Sequence, residues 1–408
     1  MNTKSTGELS RAAESKQEQA TIATTRADRV LFTVVTLLYW SSLYVYVPIL
    51  SDYLTFRGMS LFLTGLVLGS YGFTQIVIRL PLGMASDRLR RRKPFIMLGM
   101  VTAALACLLF PIAGSWGWPL LARIVSGVSA STWVAFTVLY SSYYPQNEST
   151  KAMGYISVMT AAGQLVGMTL SGWTVSQFGY HTLYMSGAVI GLAGFVAATF
   201  VKEPKSGVAR DPIRMKDLTA VVSSPTLITV ALLSILAHSV LFITMFGFTP
   251  LQAKALGAGK MELTLLVVAF MVPHAIANLL SGRKIAPKLG TGATLLIGFI
   301  VSGICTLLIP VASSYGWLLL TQVFNGFAQG LHFPLLLGLC IRDIEPSKRA
   351  TAMGFYQAVY SIGMFAGPFI AGWLNDDYGL ASGFYLGGIL AFAAAFFLLA
   401  SRKRAKLF

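Results

Sequence analysis

The sequence predicts an all-α polytopic membrane protein: twelve transmembrane helices in two pseudo-symmetric six-helix bundles. Three observations predict it. Apolar runs of spanning length recur along the chain, charge is confined between them, and the second half repeats the first about 200 residues later. Charged residues make up 11% of the 408 residues and mean hydropathy is +0.69, against roughly 25% charged in ordinary soluble domains. One soluble core cannot hide so much apolar surface. A spanning helix needs about 20 mostly apolar residues. Such runs fall at 30–50, 60–80, 95–113, 118–142, 152–173, 182–201, 224–247, 261–280, 292–311, 316–341, 351–373 and 382–401.

The repeat is legible residue by residue. An offset of 199 carries Gly99, Pro111, Trp118 and Gly127 onto Gly298, Pro310, Trp317 and Gly326. An offset of 200 carries Gly163, Gly167, Gly172 and Trp173 onto Gly363, Gly367, Gly372 and Trp373. Duplicated membrane halves with a site between them are the architecture of carriers that expose one site alternately to two sides of a bilayer.

The segments follow in order. Residues 1–27 are polar and mixed in charge and read as a disordered cytoplasmic tail. Residues 28–201 form the first bundle. Residues 202–223, broken by Pro204 and Pro212, read as a cytoplasmic linker with a short interfacial helix near Ile213–Val222. Residues 224–401 form the second bundle and 402–408 a basic tail. No signal peptide is evident, because the first apolar run lacks a small-residue cleavage site. Of 31 lysines and arginines, 26 lie on the tails and alternate loops that share one side, leaving Arg57, Lys254 and Lys260 on the other loops and Arg79 and Arg123 within spans. This positive-inside pattern puts both termini in the cytoplasm of a cell membrane. The net charge of +16 then reflects orientation and contact with anionic lipid, and no aromatic-interleaved basic domain offers a nucleic-acid surface. Cys107, Cys305 and Cys340 all fall inside spans and read as packing residues, not as a disulfide or metal set.

Between helices 2 and 3 lies Gly83-Met84-Ala85-Ser86-Asp87-Arg88-Leu89-Arg90-Arg91-Arg92. It resembles the loop signature of the major facilitator superfamily, Gly-x-x-x-Asp-Arg-x-Gly followed by two basic residues, with Arg90 in place of the glycine. A worn copy, Arg283 to Gly290, occupies the homologous loop of the second half without the aspartate. Together with the spans and the repeat, the resemblance covers nearly the whole chain and is closest to the twelve-helix drug and metabolite proton antiporters. It implies that Gly83, Asp87, Arg88, Arg91 and Arg92 form a conformational latch between the halves. A topology role alone is the alternative for the basic residues. Helix 4 carries Arg123 four residues before Gly127, which is similar to the superfamily's helix-4 pattern. An arginine in a span costs about 2.5–3.5 kcal/mol or more, so Arg123 should face a cavity, with snorkelling to the interface the alternative. Gly163, Gly167, Gly363 and Gly367 have the spacing of close helix packing in lipid. The exporters' glycine-rich helix-5 signature is matched only in part, because residues 167–172 lack its proline.

The resemblance places helices 1, 4, 7 and 10 around the cavity, with 2, 5, 8 and 11 beside them. Candidate substrate-binding residues on these helices are Tyr39, Trp40, Gln75, Arg123, His238, His274, Asn325, Gln329, His332, Gln357 and Tyr360. None of the fifteen acids lies mid-span. A specialist for lipophilic cations, which in this superfamily typically uses a buried carboxylate, is therefore disfavoured. Arginine, histidines, amides and aromatics suit a neutral or anionic amphiphile. If protons drive transport, the candidates are Arg123, His238, His274 and, at the outer end of helix 1, Asp52; histidine titrates near neutral pH. The expectation is a monomeric secondary transporter that needs no cofactor or metal, with a small molecule, protons and lipid as its partners. Export is favoured over import or facilitated entry of an organic anion. An intramembrane enzyme is the remote alternative, since no paired base attends Ser126 and no metal or paired-aspartate motif occurs.

Overall fold

The computed structural model describes residues 24–144, 149–204, 224–345 and 348–401. The expected helix at Ile213–Val222, most of the amino-terminal tail and linker, and the basic tail lie outside them. Within them the chain is helical and no strand occurs, as lipid demands, because each backbone N–H must find its acceptor within its own segment. The passes are α1 (Arg26–Phe56), α2 (Leu61–Leu89), α3 (Lys93–Leu109), α4 (Gly117–Ser141), α5 (149–178), α6 (180–199), α7 (Pro225–Ala255), α8 (Lys260–Leu289), α9 (Thr291–Leu308), α10 (Tyr315–Arg342), α11 (Arg349–Tyr378) and α12 (Ala381–Ser401).

Helix starts follow from local chemistry. Thr25 and Asp28 form a reciprocal capping box at α1, and Ser60, Ser224 and Ser314 cap α2, α7 and α10 through their hydroxyls, each satisfying an otherwise orphaned N–H. The box starts α1 at Arg26, inside the stretch expected to be tail. The helix also outruns its expected end at residue 50, passing a 3-10 turn at Val47–Ile49 and continuing to Phe56. No loop separates α5 from α6. Gly179, at φ 79°, turns one into the other, a left-handed conformation open to glycine without strain.

The repeat in sequence is a repeat in packing. A β-carbon on Gly163 would sit 3.0 Å from the Leu37 carbonyl oxygen of α1, and one on Gly363 would strike the Ile235 carbonyl of α7. Gly167 and Gly367 do the same against Ser41 and Ser239, with approaches of 2.6 and 2.9 Å. Thus α5 rests on α1 as α11 rests on α7, backbone to backbone.

The two halves meet along two equivalent seams, α2 with α11 and α5 with α8. In the first, a β-carbon on Gly65 would sit 2.8 Å from the Gly372 Cα, and β-carbons on Gly69 and Gly72 would strike Phe365 and Met364. In the second, Gly172 packs on the Lys260 backbone and its N–H donates to the Thr264 hydroxyl at 2.8 Å. At one end, which carries Asp52, the Leu61 N–H donates to Asp376 at 3.1 Å across the halves. At the other end, which carries Asp87, a β-carbon on Gly83 would meet only Val134 of its own half, at 3.9 Å, and one on Gly154 or Gly338 would meet nothing within 4 Å. Among the described residues, hydrogen bonds and ion pairs join the halves at the Asp52 end and none does at the Asp87 end, so the first is the closed end and the second the parted one.

Alanine substitutions should separate the two kinds of contact. Gly167→Ala forces two backbones apart within one half and is expected to cost about 1–3 kcal/mol, read as a lower melting temperature in detergent. Gly65→Ala strains only the closed end, so it should shift the protein toward the state in which that end parts. Spin labels replacing the exposed Phe56 and Tyr378 should report a longer distance, and an unchanged distribution would show that the seam tolerates the methyl.

Candidate substrate-binding and gating site

Arg123 projects from α4 into the interior with 3% of its surface exposed. Its guanidinium lies over the Tyr71 ring of α2 at 4.3 Å, a cation–π contact. Its Nε has no partner, and no hydrogen bond from the guanidinium reaches a described residue. On the far side, Tyr71 stacks on Phe242 of α7 at 6.1 Å, and Tyr44 of α1 meets Phe246 of α7 at 5.9 Å. These four rings bridge the halves beside Arg123. Trp40 packs on Tyr44 and Trp133, with its indole N–H unpartnered. Tyr39 is turned into its own half, where its hydroxyl donates to the Ser129 carbonyl.

Two turns along α2 from Tyr71 sits Arg79, 5% exposed. It donates to the Tyr360 hydroxyl of α11 at 3.1 Å and to the Ala130 carbonyl of α4 at 3.3 Å, and weakly to the Gln357 carbonyl at 3.5 Å. Tyr360 lies flat on His238 of α7, with ring centroids 4.1 Å apart and planes 2° apart. His238 Nδ1 is 2.8 Å from the Ser234 carbonyl; a carbonyl only accepts, so Nδ1 carries the proton. Gln75 bonds back to the Tyr71 carbonyl at 3.2 Å, and the side-chain carbonyl of Gln357 has no partner.

The second half contributes neutral polar groups. His274 and Asn278 are half-buried on α8, each with one side-chain atom unpartnered. Gln329 donates to Asn325 at 2.9 Å, and Asn325 accepts from Ser302 of α9 at the same distance. His332 stacks on Phe299 of α9 at 3.9 Å. The structure therefore sets Asn325 and His332 against α9, a supporting helix, while Arg123, Gln75, His238, Gln357 and Tyr360 gather where the halves meet.

At the closed end, Asp52 is wholly buried. Lys254 of α7 pairs with it at 2.7 Å, Lys260 of α8 pairs with its other oxygen, and the Tyr180 hydroxyl donates to it. Both cations come from the opposite half. At the parted end, Asp87 pairs with Arg92, which also donates to Ser86. The N–H groups of Arg92 and Lys93 donate to Glu203 beyond α6, which sets a carboxylate on the positive end of α3. Arg88 and Arg91 are exposed. No hydrogen bond or ion pair from this loop reaches the other half among the described residues. Arg90 stands at φ 49° in the left-handed region, and its counterpart Gly290 stands at φ 86°.

Comparison with known proteins decides the family. The sequence profile described as Major Facilitator Superfamily matches residues 32–253 and 230–407. The chain belongs to the major facilitator superfamily. It is 26% identical to the inner membrane transport protein YajR of Escherichia coli K12, covering 86% of this chain and 77% of that one. It is 25% identical to the multi-drug resistance efflux pump PmrA of Streptococcus pneumoniae serotype 4, covering 80% and 82%. Among solved structures, a bacterial homolog of the human lysosomal transporter Spinster, inward-facing and occupied, superposes with a TM-score of 0.74 at 15% identity over 94% of this chain and 98% of that one. This superfamily member is a multi-pass membrane transporter and not an enzyme.

The sequence did not place Arg79, Tyr71, Phe242, Phe246 or Glu203 among the site residues. Arg79 had a signal, its charge within a span. The aromatics had none, because phenylalanine and tyrosine in apolar helices read as packing. The partners of Asp52 were visible only as two of the three basic residues on the sparsely charged side.

Two outcomes are expected. Arg90→Gly removes the strain of a side chain in the left-handed region and should raise stability by about 1 kcal/mol, measured by thermal unfolding. Asp52→Asn removes two ion pairs that close one end. At about 0.5–1 kcal/mol each for half-exposed lysines, the closed-state population should fall roughly fivefold or more. Labelling of a cysteine placed at Phe246 should then accelerate from that side, and an unchanged rate would show that the ion pairs do not hold this end closed.

Proposed function

We propose that this transporter is a proton-coupled exporter of a neutral or anionic amphiphile, working by alternating access in the plasma membrane with both termini cytoplasmic. The carrying observation is Arg123, a buried cation over Tyr71 with no carboxylate beside it, in an interior that holds one further guanidinium, Arg79, and is otherwise lined by aromatics and neutral polar groups. An unpaired buried charge is costly, and an anionic group on the cargo would offset it. On this orientation the parted Asp87 end faces the cytoplasm, the side from which an exporter loads. The similarity to an efflux pump over 80% of the chain supports the same direction. Proton uptake is assigned to Asp52, which opening of the outer end would strip of Lys254 and Lys260, with His238 and His274 as further carriers and Arg123 as a bias on them. The loop from Gly83 to Arg92 serves as the latch of the opposite, outward-facing state.

Everted membrane vesicles, acid inside, test this reading with fluorescent anionic and neutral amphiphiles outside. Uptake that collapses on adding a protonophore is expected. Arg123→Gln should lower uptake of an anionic probe about 10- to 100-fold, the worth of a charged hydrogen bond of roughly 1.5–3 kcal/mol. Arg123→Lys should retain part of it, keeping the charge but losing the fork. Uptake only in right-side-out vesicles would make the protein an importer.

A further inference from the structure

We propose that Arg79 is the first charge-recognising residue the cargo meets, ahead of Arg123, that the cargo is an organic anion, and that it competes with Tyr360 for the Arg79 guanidinium. This deepens the export reading and rests on it only in taking the space between the halves as the route.

The guanidinium of Arg79 is buried among neutral acceptors, the Tyr360 hydroxyl at 3.1 Å and the Ala130 and Gln357 carbonyls at 3.3 and 3.5 Å, and its Nε has no partner. The other guanidinium of the interior is also without a carboxylate. Arg123 lies over Tyr71, eight residues earlier on α2, about 12 Å away along the helix at 1.5 Å per residue. Among the described residues every carboxylate lies near a helix end, so the interior carries two guanidiniums and no counter-charge. A guanidinium in that setting binds carboxylate or phosphate through its planar fork.

Position assigns the first encounter to Arg79. Among the described residues it makes the last hydrogen bonds of the α2–α11 seam toward the parted end, and a β-carbon on Gly83, one turn on, would meet only Val134 of its own half. A ligand entering from the parted end therefore reaches it ahead of Arg123. Its hydroxyl partner belongs to the opposite half, and Tyr360 is held in place by its stack on His238 whether or not the arginine stays. An anion that takes the fork removes a bond between the halves. Occupancy and this bond exclude each other, and binding loosens the seam that must open next. The repeat counterpart of Arg79 is Asn278, so only one of the two seams carries this charge.

The test uses the full-length protein in neutral detergent and its thermal shift with four probes of equal chain length: hexyl phosphate, hexanoate, hexyltrimethylammonium and hexyl glucoside. Only the two anions should stabilise the wild type. Arg79→Gln should weaken their apparent affinity at least tenfold, and Arg79→Lys should fall between. Tyr360→Phe, which removes the competitor, should tighten binding severalfold, an effect a purely structural arginine would not produce. If Arg79→Gln does not fold, Arg79→Lys and Tyr360→Phe carry the test. Unchanged anion affinity in the Arg79 variants, or no gain in Tyr360→Phe, overturns the proposal. Equal stabilisation by hexyl glucoside overturns the anion assignment and leaves the vesicle result for export standing. Arg79-dependent anion binding without outward pumping would overturn export and keep this site.

Discussion

Everything in this structure depends on how closely two backbones can approach in lipid. Lipid tails are as apolar as leucine, so helices gain nothing by hiding apolar surface from them and are held by dispersion contact and small residues. Gly163 and Gly167 seat α5 on α1, Gly363 and Gly367 seat α11 on α7, and Gly65, Gly172 and Gly372 bring the halves together. The first two pairs fix each half as a body. The last three make a contact that lies at one end only, so it can be lost without unfolding either half. A transporter needs that division: rigid bodies with a separable seam.

The charges follow from the same division. Among the described residues, the ion pairs that link the halves sit at the closed end, where Lys254 and Lys260 reach Asp52. At the parted end the Asp87 pair is made within its own loop, and Glu203 anchors that loop to the end of α6. Opening the closed end must therefore expose a wholly buried carboxylate and free two lysines, whereas closing the parted end needs no existing pair to be broken. The two ends are switched by different chemistry, although the helices that form them are related by the repeat.

Much of this was legible in the sequence, and the reason is periodicity. Span lengths, the repeat and the paired glycines survive as regular spacings, because the bilayer fixes helix length and close packing admits few residue types. Even the Arg90 anomaly was visible, since the family pattern and Gly290 in the copy both put glycine at that turn. Other features had no local signature. Asn325, Gln329 and His332 fall on one stripe of a cavity helix, yet Ser302 and Phe299 draw Asn325 and His332 toward α9. A helical wheel does not show which neighbour a polar residue chooses. The partners of Asp52 lie about 200 residues away, and the aromatic bridge of Tyr44, Tyr71, Phe242 and Phe246 is composed of residues that serve as packing everywhere else.

The repeat also shows where the halves were allowed to differ. Tyr39 aligns with His238, Gln75 with His274, Arg79 with Asn278 and Arg123 with Gln322. The glycines that seat α5 on α1 have counterparts on α11, but both interior charges belong to the first half and the unpartnered amides and imidazoles cluster in the second. Duplication alone would give two equivalent faces and a site with no preferred direction for its cargo. Substitution at these few positions gives a cationic face opposite a neutral hydrogen-bonding face, with an aromatic bridge beyond. On the function proposed above, that arrangement favours a molecule with an anionic head, an apolar body and a polar but uncharged group. The orientation of such a molecule would be set before either end moves.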